Sequence, residues 1–351
     1  MKKIIFLVTL ALPLFCTAQK RGNVWCFGDS AGIDFNSGVP VPITSSVNSR
    51  GSCASVSDTS GNLLFYVAYD PTALISGTDP VKAYNYNGLV MLNGDSMKGS
   101  AWYNEIVIIP DPGFYYLYYI FYVGVTLDYG LYYSVVDMNA NGGLGAVIQK
   151  NIQLQTDTMV DCLKAIKHGN GRDWWLFYRR YTGYNVGNNE FHSYLITPQG
   201  ITNYTVQNIG SNIRTNSGQI KFNKEGNRIC FNNYRGLMEL YDFDRCSGMI
   251  SNPVNIYPDN GLPPWPARWS SEFSASGDYL YLSLHPAGDN YLIQFDLNSA
   301  NIAASAVTLW TTSFPQNCSG ALKRAPDDKI YFSSVYDNGA FPYPYPDSVY
   351  N

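Results

Sequence analysis

The side chains in this 351-residue chain that could do chemistry are few and scattered. The histidines His168, His192 and His285 lack the HxxxH or HExxH spacing that turns two imidazoles toward one metal, and no G-x-S-x-G elbow presents a serine to them. Glu105, Glu190, Glu239 and Glu272 are the carboxylates best placed to act as acids or bases. They lie too far apart to meet within one local element, so they could converge only if the fold gathers separate repeats around an axis. In that case a hydrolase or lactonase-like site at a central channel is one reading. The other is that each carboxylate satisfies backbone N–H groups at a strand end. No residue is assigned a catalytic role.

Asp137, Asn139, Asn141 and Gly142 match the opening D-x-N-x-N-G of a calcium loop, but the twelfth position is Ile148 where the full motif needs a bidentate glutamate. An ordinary turn leaving a strand explains the same residues. No metal and no cofactor is therefore expected. The most distinctive segment is GLPPWPARWSSE, Gly261 to Glu272, where three prolines stiffen a stretch carrying Trp265, Arg268 and Trp269. Rigid tryptophans bury large area at little entropic cost, which suits stacking on a sugar ring or anchoring a protein partner. These three residues are the ligand-binding candidates. The competing reading is that one ring caps a sheet interface.

Positioning such residues falls to a repeat. Gly61, Gly113, Gly171, Gly226, Gly277 and Asp328 each launch a strand rich in Tyr, Phe, Trp, Val or Ile, at intervals of roughly fifty residues. A second alternating strand follows in most units, as in LMELYDFD and YLIQFDLN, and ends at an Asp, Asn or Gly turn. Helical periodicity is absent beyond the amino-terminal leader. The pattern predicts an all-β fold, a β-propeller of about fifty-residue, WD40-like blades, seven in the complete form, with the last blade truncated. Six units are recognisable. A seventh is expected only if Val81–Ile109 or Tyr204–Lys221 hides extra strands. VWCFGDSAGIDFNSG, at 24–38, reads as a late blade strand that completes the final blade and so removes an exposed edge. The tract Phe114 to Tyr122 reads as a central strand packed on both faces, and Trp174 and Trp175 as packing residues on opposite faces.

Composition narrows the partners. Charged residues are 14% of the chain, the formal net charge is −4, and 29 tyrosines replace much of the missing charge. That excludes the electrostatic footprint of a nucleic-acid-binding protein. Residues 1–18 combine two lysines, an apolar run from Ile4 to Phe15 and small residues at 16–18, which is the pattern of a secretory signal peptide. No other stretch is long and apolar enough for a membrane-spanning helix. Six cysteines follow the leader: Cys26, Cys53, Cys162, Cys230, Cys246 and Cys318. They permit fifteen pairings among which the sequence does not choose.

The blocks WCFGDSAGIDFNSGVPVPI, GSCASVSDTSGNLLFYV, IVIIPDPGFYYLYYIF, GLYYSVVDMNANGGLGAV, LKAIKHGNGRDWWLF, ELYDFDRCSGMISNP and QFDLNSANI, in that order, resemble the amino-terminal propeller region of large secreted surface proteins of Bacteroidetes. Those proteins carry PKD-type modules and a carboxy-terminal type IX secretion (type B) sorting domain. The resemblance runs from about Trp25 to Ser334 and implies a fold and a placement, not a reaction. Here no PKD module or sorting domain follows, and the chain closes on the proline-rich FPYPYPDSVYN. The expected organisation is a signal peptide at 1–18, a propeller at 19–340, and a tail at 341–351 that is the incomplete end of the last blade. The expected function is a secreted or cell-surface binding or scaffold module for protein or glycan partners, without catalysis. The alternatives are the channel hydrolase above and a nonfunctional fragment of a longer adhesin-like protein.

Overall fold

The computed structural model describes residues 19–49, 52–70, 79–99, 104–125, 130–183, 186–259, 267–285, 289–313 and 318–335. The leader, the tail, Trp265 and the side chain of Cys318 lie outside the described residues. The strands fall into seven antiparallel sheets, taken in chain order. The first holds β1 (Val24–Phe27), β2 (Asp29–Asp34) and β3 (Val41–Asn48), and the second β4 (Cys53–Ser57), β5 (Leu63–Tyr69) and β6 (Val81–Asn85). Four four-stranded sheets follow. The third is β7 (Ile106–Pro110), β8 (Leu117–Gly124), β9 (Gly130–Asp137) and β10 (Ala146–Gln155), and the fourth β11 (Lys164–Lys167), β12 (Trp174–Arg179), β13 (Asn188–Thr197) and β14 (Gly200–Ile213). The fifth is β15 (Gly218–Phe222), β16 (Arg228–Asn233), β17 (Met238–Asp244) and β18 (Met249–Tyr257), and the sixth β19 (Ala267–Phe273), β20 (Tyr279–His285), β21 (Asp289–Asp296) and β22 (Val307–Ser313). The last sheet pairs β23 (Cys318–Arg324) with β24 (Ile330–Val335). The first strands of successive sheets lie against one another, so the sheets radiate from a common axis as propeller blades.

A recurring turn sets this geometry. Between the first two strands of a sheet, the amide of Gly61, Gly171, Gly226, Gly277 or Asp328 donates to the carbonyl three residues earlier, on Asp58, His168, Asn223, Ser274 or Ala325, at 2.9–3.2 Å. All five take a left-handed backbone, with φ from 63° to 101°. Glycine meets that demand without steric cost, and aspartate is among the few other residues that tolerate it. Asp328 therefore occupies the glycine position of the sixth repeat.

Hydrophobic packing then fills the spaces between sheets. Phe65 and Val67 of the second sheet meet Ile120 and Tyr122 of the third; Phe121 and Val123 on the other face of β8 meet Leu176 and Tyr178 of the fourth. The aromatic tract is thus packed on both faces. Trp175 joins Phe177, Phe222 and Phe243 between the fourth and fifth sheets, while Trp174 packs toward the third. Phe273, Leu282 and Phe295 continue the series against Cys230 and Leu240.

The segment at 24–48 departs from expectation. It makes a separate sheet, and the additional strands within 81–109 and 204–221 belong to the second, third, fourth and fifth sheets. β1 hydrogen-bonds to β2 and not to β24. The first and last sheets instead meet through side chains: the Trp25 ring lies 5.7 Å from Tyr331, Phe35 lies 5.5 Å from Tyr331, and Ala325 completes the cluster. On its other side β1 is tied to β4 by the Ser55 hydroxyl donating to the Val24 carbonyl at 2.7 Å. Cys26, Cys53, Cys162, Cys230 and Cys246 are all free thiols. No helix among the described residues is long and apolar enough to cross a membrane.

Candidate functional site

Because neighbouring strands are antiparallel, the connections that enter each inner strand and those between second and third strands emerge on one face. The tight glycine turns emerge on the other. Two concavities among the described residues open on the first face. One, of about 520 Å³, is lined by Val125, Thr158, Arg180, Tyr181, Thr182, Gly183 and Asn216. The other is a narrow cleft lined by Asn104, Asp161, Ser217, Gly218, Tyr234, Arg268 and Trp269. Asn216 and Ser217 are consecutive, so the two share a wall.

Hydrogen bonds between successive sheets hold this mouth rigid. The Gly218 amide donates to the Asp161 carboxylate at 2.7 Å, the Asp161 amide to the Asn216 carbonyl at 3.0 Å, and the Leu163 amide to the Asn104 carbonyl at 2.9 Å. A carboxylate that accepts backbone N–H bonds in a buried position is a structural anchor. Trp269 is partly exposed and sets its ring edge-on to Tyr234 at 6.1 Å. Arg268 precedes it in the chain. Its guanidinium is buried 4.1 Å from the Tyr257 ring centre and donates to the Gly236 carbonyl, and burial pulls its pKa down to about 10. It fixes the 234–237 turn from beneath. Of the tryptophan segment, then, Trp269 and Arg268 both border the cleft, and Arg268 also supports it through the 234–237 turn.

The other candidates fall in separate places. Asp137 ends β9, where its carboxylate accepts the Asn139 amide at 2.8 Å, and Asn141 takes φ 52° in the following turn. Among the described residues no three His, Cys, Asp or Glu side chains gather around a possible cation. His168 lies in a glycine turn on the opposite face, stacked on Trp175, and its Nδ1 accepts the Asn170 amide. His192 is buried between Tyr204, 2.7 Å from Nδ1, and Glu190, 3.1 Å from Nε2. Burial holds its pKa below the ordinary value against the pull of Glu190. His285 bonds Asn290 in the sixth sheet. Glu105 pairs with the Ser52 hydroxyl and Glu239 with Tyr241 and Ser211, so these carboxylates do not converge with a histidine.

What the sequence did not reveal is a group of cations at the axis. Lys164 on β11 is coupled electrostatically to Lys221 on β15, Lys323 on β23, the adjacent Arg324, and the carboxylate Glu272 on β19. Four inner strands can bring their side chains into mutual range only at the centre of the ring. Glu272 accepts from Lys221 Nζ at 3.1 Å and from the Arg324 amide at 3.1 Å, and Lys221 also donates to the Leu322 carbonyl at 2.9 Å. Burial alone would push the Glu272 pKa up, but Lys221, the Arg324 amide and Lys164 outweigh it and hold the carboxyl below its usual range.

No family model matches the chain, and no curated protein matches it. Solved structures do. A candidate 6-phosphogluconolactonase of Bacteroides fragilis aligns at 13% identity and TM-score 0.50, covering 89% of this chain and 86% of its own. The periplasmic gluconolactonase of Pseudomonas aeruginosa aligns at 14% identity and TM-score 0.44 over 81% of this chain and 77% of its own. The β-propeller domain of Cps50 (Swd1) from Myceliophthora thermophila aligns at 8% and TM-score 0.39 over 87% and 90%. At such identities the similarity is one of fold.

Proposed function

We propose that this chain is an exported recognition module of the bacterial cell surface, of the kind found at the amino terminus of PKD and type IX sorting-domain proteins. It binds a protein or glycan partner on the face that carries the two concavities and performs no chemistry there. The observation behind this reading is the lining of the larger depression. Thr158, Thr182, Asn216, Arg180 and Tyr181 line it, residues that carry hydroxyl, amide, guanidinium and phenol groups, with Trp269 and Tyr234 next along the shared wall. Such groups hydrogen-bond and stack on sugars, and they supply no acid–base pair. The nearest carboxylates, Asp157 and Glu190, lie 3.4 Å and 3.8 Å from the Arg180 guanidinium and orient it.

The test is a glycan array and a surface-protein capture panel with the full chain, run beside Tyr181→Ala and Trp269→Ala. Selective binding that both substitutions weaken supports the reading. Absence of any ligand, or binding indifferent to both changes, overturns it. Turnover of lactones or glycosides would favour the hydrolase.

A further inference from the structure

The axis of the propeller carries an unbalanced charge. The groups most strongly coupled to Lys164 are three cations, Lys221, Lys323 and Arg324, and the carboxylate Glu272. That carboxylate is already engaged by Lys221 and by the Arg324 backbone. Among the described residues, the ammonium groups of Lys164 and Lys323 have no ion pair and donate no hydrogen bond. The Lys323 ammonium rests 4.2 Å from the centre of the Trp25 ring, a contact that does not neutralise it. Among the described residues, Arg324 Nε is buried without a hydrogen-bond partner, and its guanidinium has one ion-pair contact, with the exposed Asp328 at 3.9 Å.

The position of Lys323 is fixed from all sides. It is coupled to Cys53 on β4 and Cys26 on β1 as well as to Lys221 and Glu272 across the ring. Burial raises both thiol pKa values, Cys26 to about 12, so these groups stay neutral and offer no counter-charge. Meanwhile Lys323 is exposed and Lys164 partly exposed to water, although burial pulls the Lys164 pKa down to about 8. Both side chains stand on inner strands, which border the central channel of a propeller. In a chain whose net charge is −4, such a channel focuses the field toward anions.

We infer that the central channel is a binding site for a compact tetrahedral dianion, held between Lys164 and Lys323 with Arg324 at its edge, as presented by a phosphate or sulfate group. The site is separate from the face described under the proposed function. Either can fail without the other. Lysine ammonium groups suit this ligand because they are point charges with three donors each, and an oxyanion can accept from several of them at once.

The experiment is calorimetric titration of inorganic phosphate and of inorganic sulfate into the full chain at pH 7 and low ionic strength, repeated with Lys164→Met and Lys323→Met. Methionine keeps the apolar stem of each lysine, including the cover over Trp25. The expected result is one saturable site for at least one ion, weakened tenfold or more by each substitution and weakened by added sodium chloride. A sugar phosphate or sugar sulfate that binds more tightly than the free ion would identify an ester as the natural ligand; equal affinity would identify the free ion. Heats of dilution only, for both ions with the unsubstituted chain, would overturn the inference whatever the variants do. So would binding that both substitutions leave unchanged.

Discussion

The Lys221 ammonium lies 3.1 Å from the Glu272 carboxylate and 2.9 Å from the Leu322 carbonyl, so a single side chain on β15 ties together the inner strands of three consecutive sheets. Both partners are largely buried, with side-chain exposures of 11% and 7%. Removing one member of a buried pair leaves the other charge uncompensated. Glu272→Ala is therefore expected to destabilise the chain by about 3 kcal/mol in chemical denaturation. The sign of its pH dependence follows from the depressed carboxyl pKa. The stabilisation is fully present above the ordinary glutamate value near ~4.3 and is lost as pH falls through the lower folded-state value. The variant should show a shallower acid limb than the parent; an unchanged limb would remove Glu272 from the account.

Trp25 is expected to hold the ring shut. The first and last sheets share no ladder among the described residues, and the indole joins them by packing on Phe35 at 4.9 Å and Tyr331 at 5.7 Å while its N–H donates to the Gly22 carbonyl at 3.1 Å. Trp25→Ala should cost about 3–5 kcal/mol, the usual range for emptying a buried aromatic site. Trp174→Ala, at a half-buried ring within a hydrogen-bonded sheet, should cost less. Equal losses by denaturant titration would argue that closure does not depend on this cluster.

Much of the repeat was legible because its turns make a demand that only a few residues meet. Gly61, Gly171, Gly226 and Gly277 each carry a positive φ, and reading Asp328 as the sixth marker follows from the same stereochemistry. The first sheet was harder to place as a sheet of its own. β3 contains Pro42 and a run of Ser and Thr, and its strand character comes from an outer-edge position beside β2. Lys164, Lys221 and Lys323 look like ordinary polar residues next to turns, since nothing local distinguishes a lysine facing solvent from one facing an axis. Their meeting is a property of the closed ring. Arg268 was grouped with its tryptophans by sequence proximity, whereas its guanidinium is buried against Tyr257 and bonds the Gly236 carbonyl.

Lys164 gives a pH prediction with the same sign of slope as that of Glu272 but in the alkaline range, because here the charged form costs stability where in Glu272 it contributes. Burial first, and then Lys221, Lys323 and Arg324, lower its folded-state pKa to about 8 against the partial support of Glu272. The unfolded chain keeps the proton to about 10.4. Between these values the unfolded state binds more protons, so stability should rise with pH from 8 toward 10. At pH 7 the charged lysine costs about 3 kcal/mol, by the same linkage. Lys164→Met should raise the denaturation midpoint at pH 7 and flatten the alkaline rise, in buffers free of phosphate and sulfate. A variant less stable than the parent at pH 7 would contradict the unbalanced charge of the channel.

Arg268 and Trp269 should separate cleanly in a paired experiment. The Arg268 guanidinium is buried against Tyr257 and bonds the Gly236 carbonyl, while its own carbonyl accepts Asn232 Nδ2 at 2.8 Å. Truncation to alanine removes a packed stem and a charge-assisted hydrogen bond and leaves the turn carbonyl unpaired, a loss of about 2–4 kcal/mol. Trp269 is partly exposed and meets Tyr234 edge-on, and its replacement by alanine should cost less than that of Arg268, about 1 kcal/mol. On the recognition face the order reverses. Trp269→Ala should weaken partner binding while leaving the fold intact by near-ultraviolet circular dichroism, because the indole lines the cleft. Arg268→Ala should weaken binding only in proportion to the loosening of the 234–237 turn, and Arg268→Lys, which keeps a buried donor near Gly236, should recover part of that loss. If Arg268→Lys binds as poorly as Arg268→Ala while remaining as stable as the parent, the guanidinium contacts the partner directly and its assignment as a support is wrong.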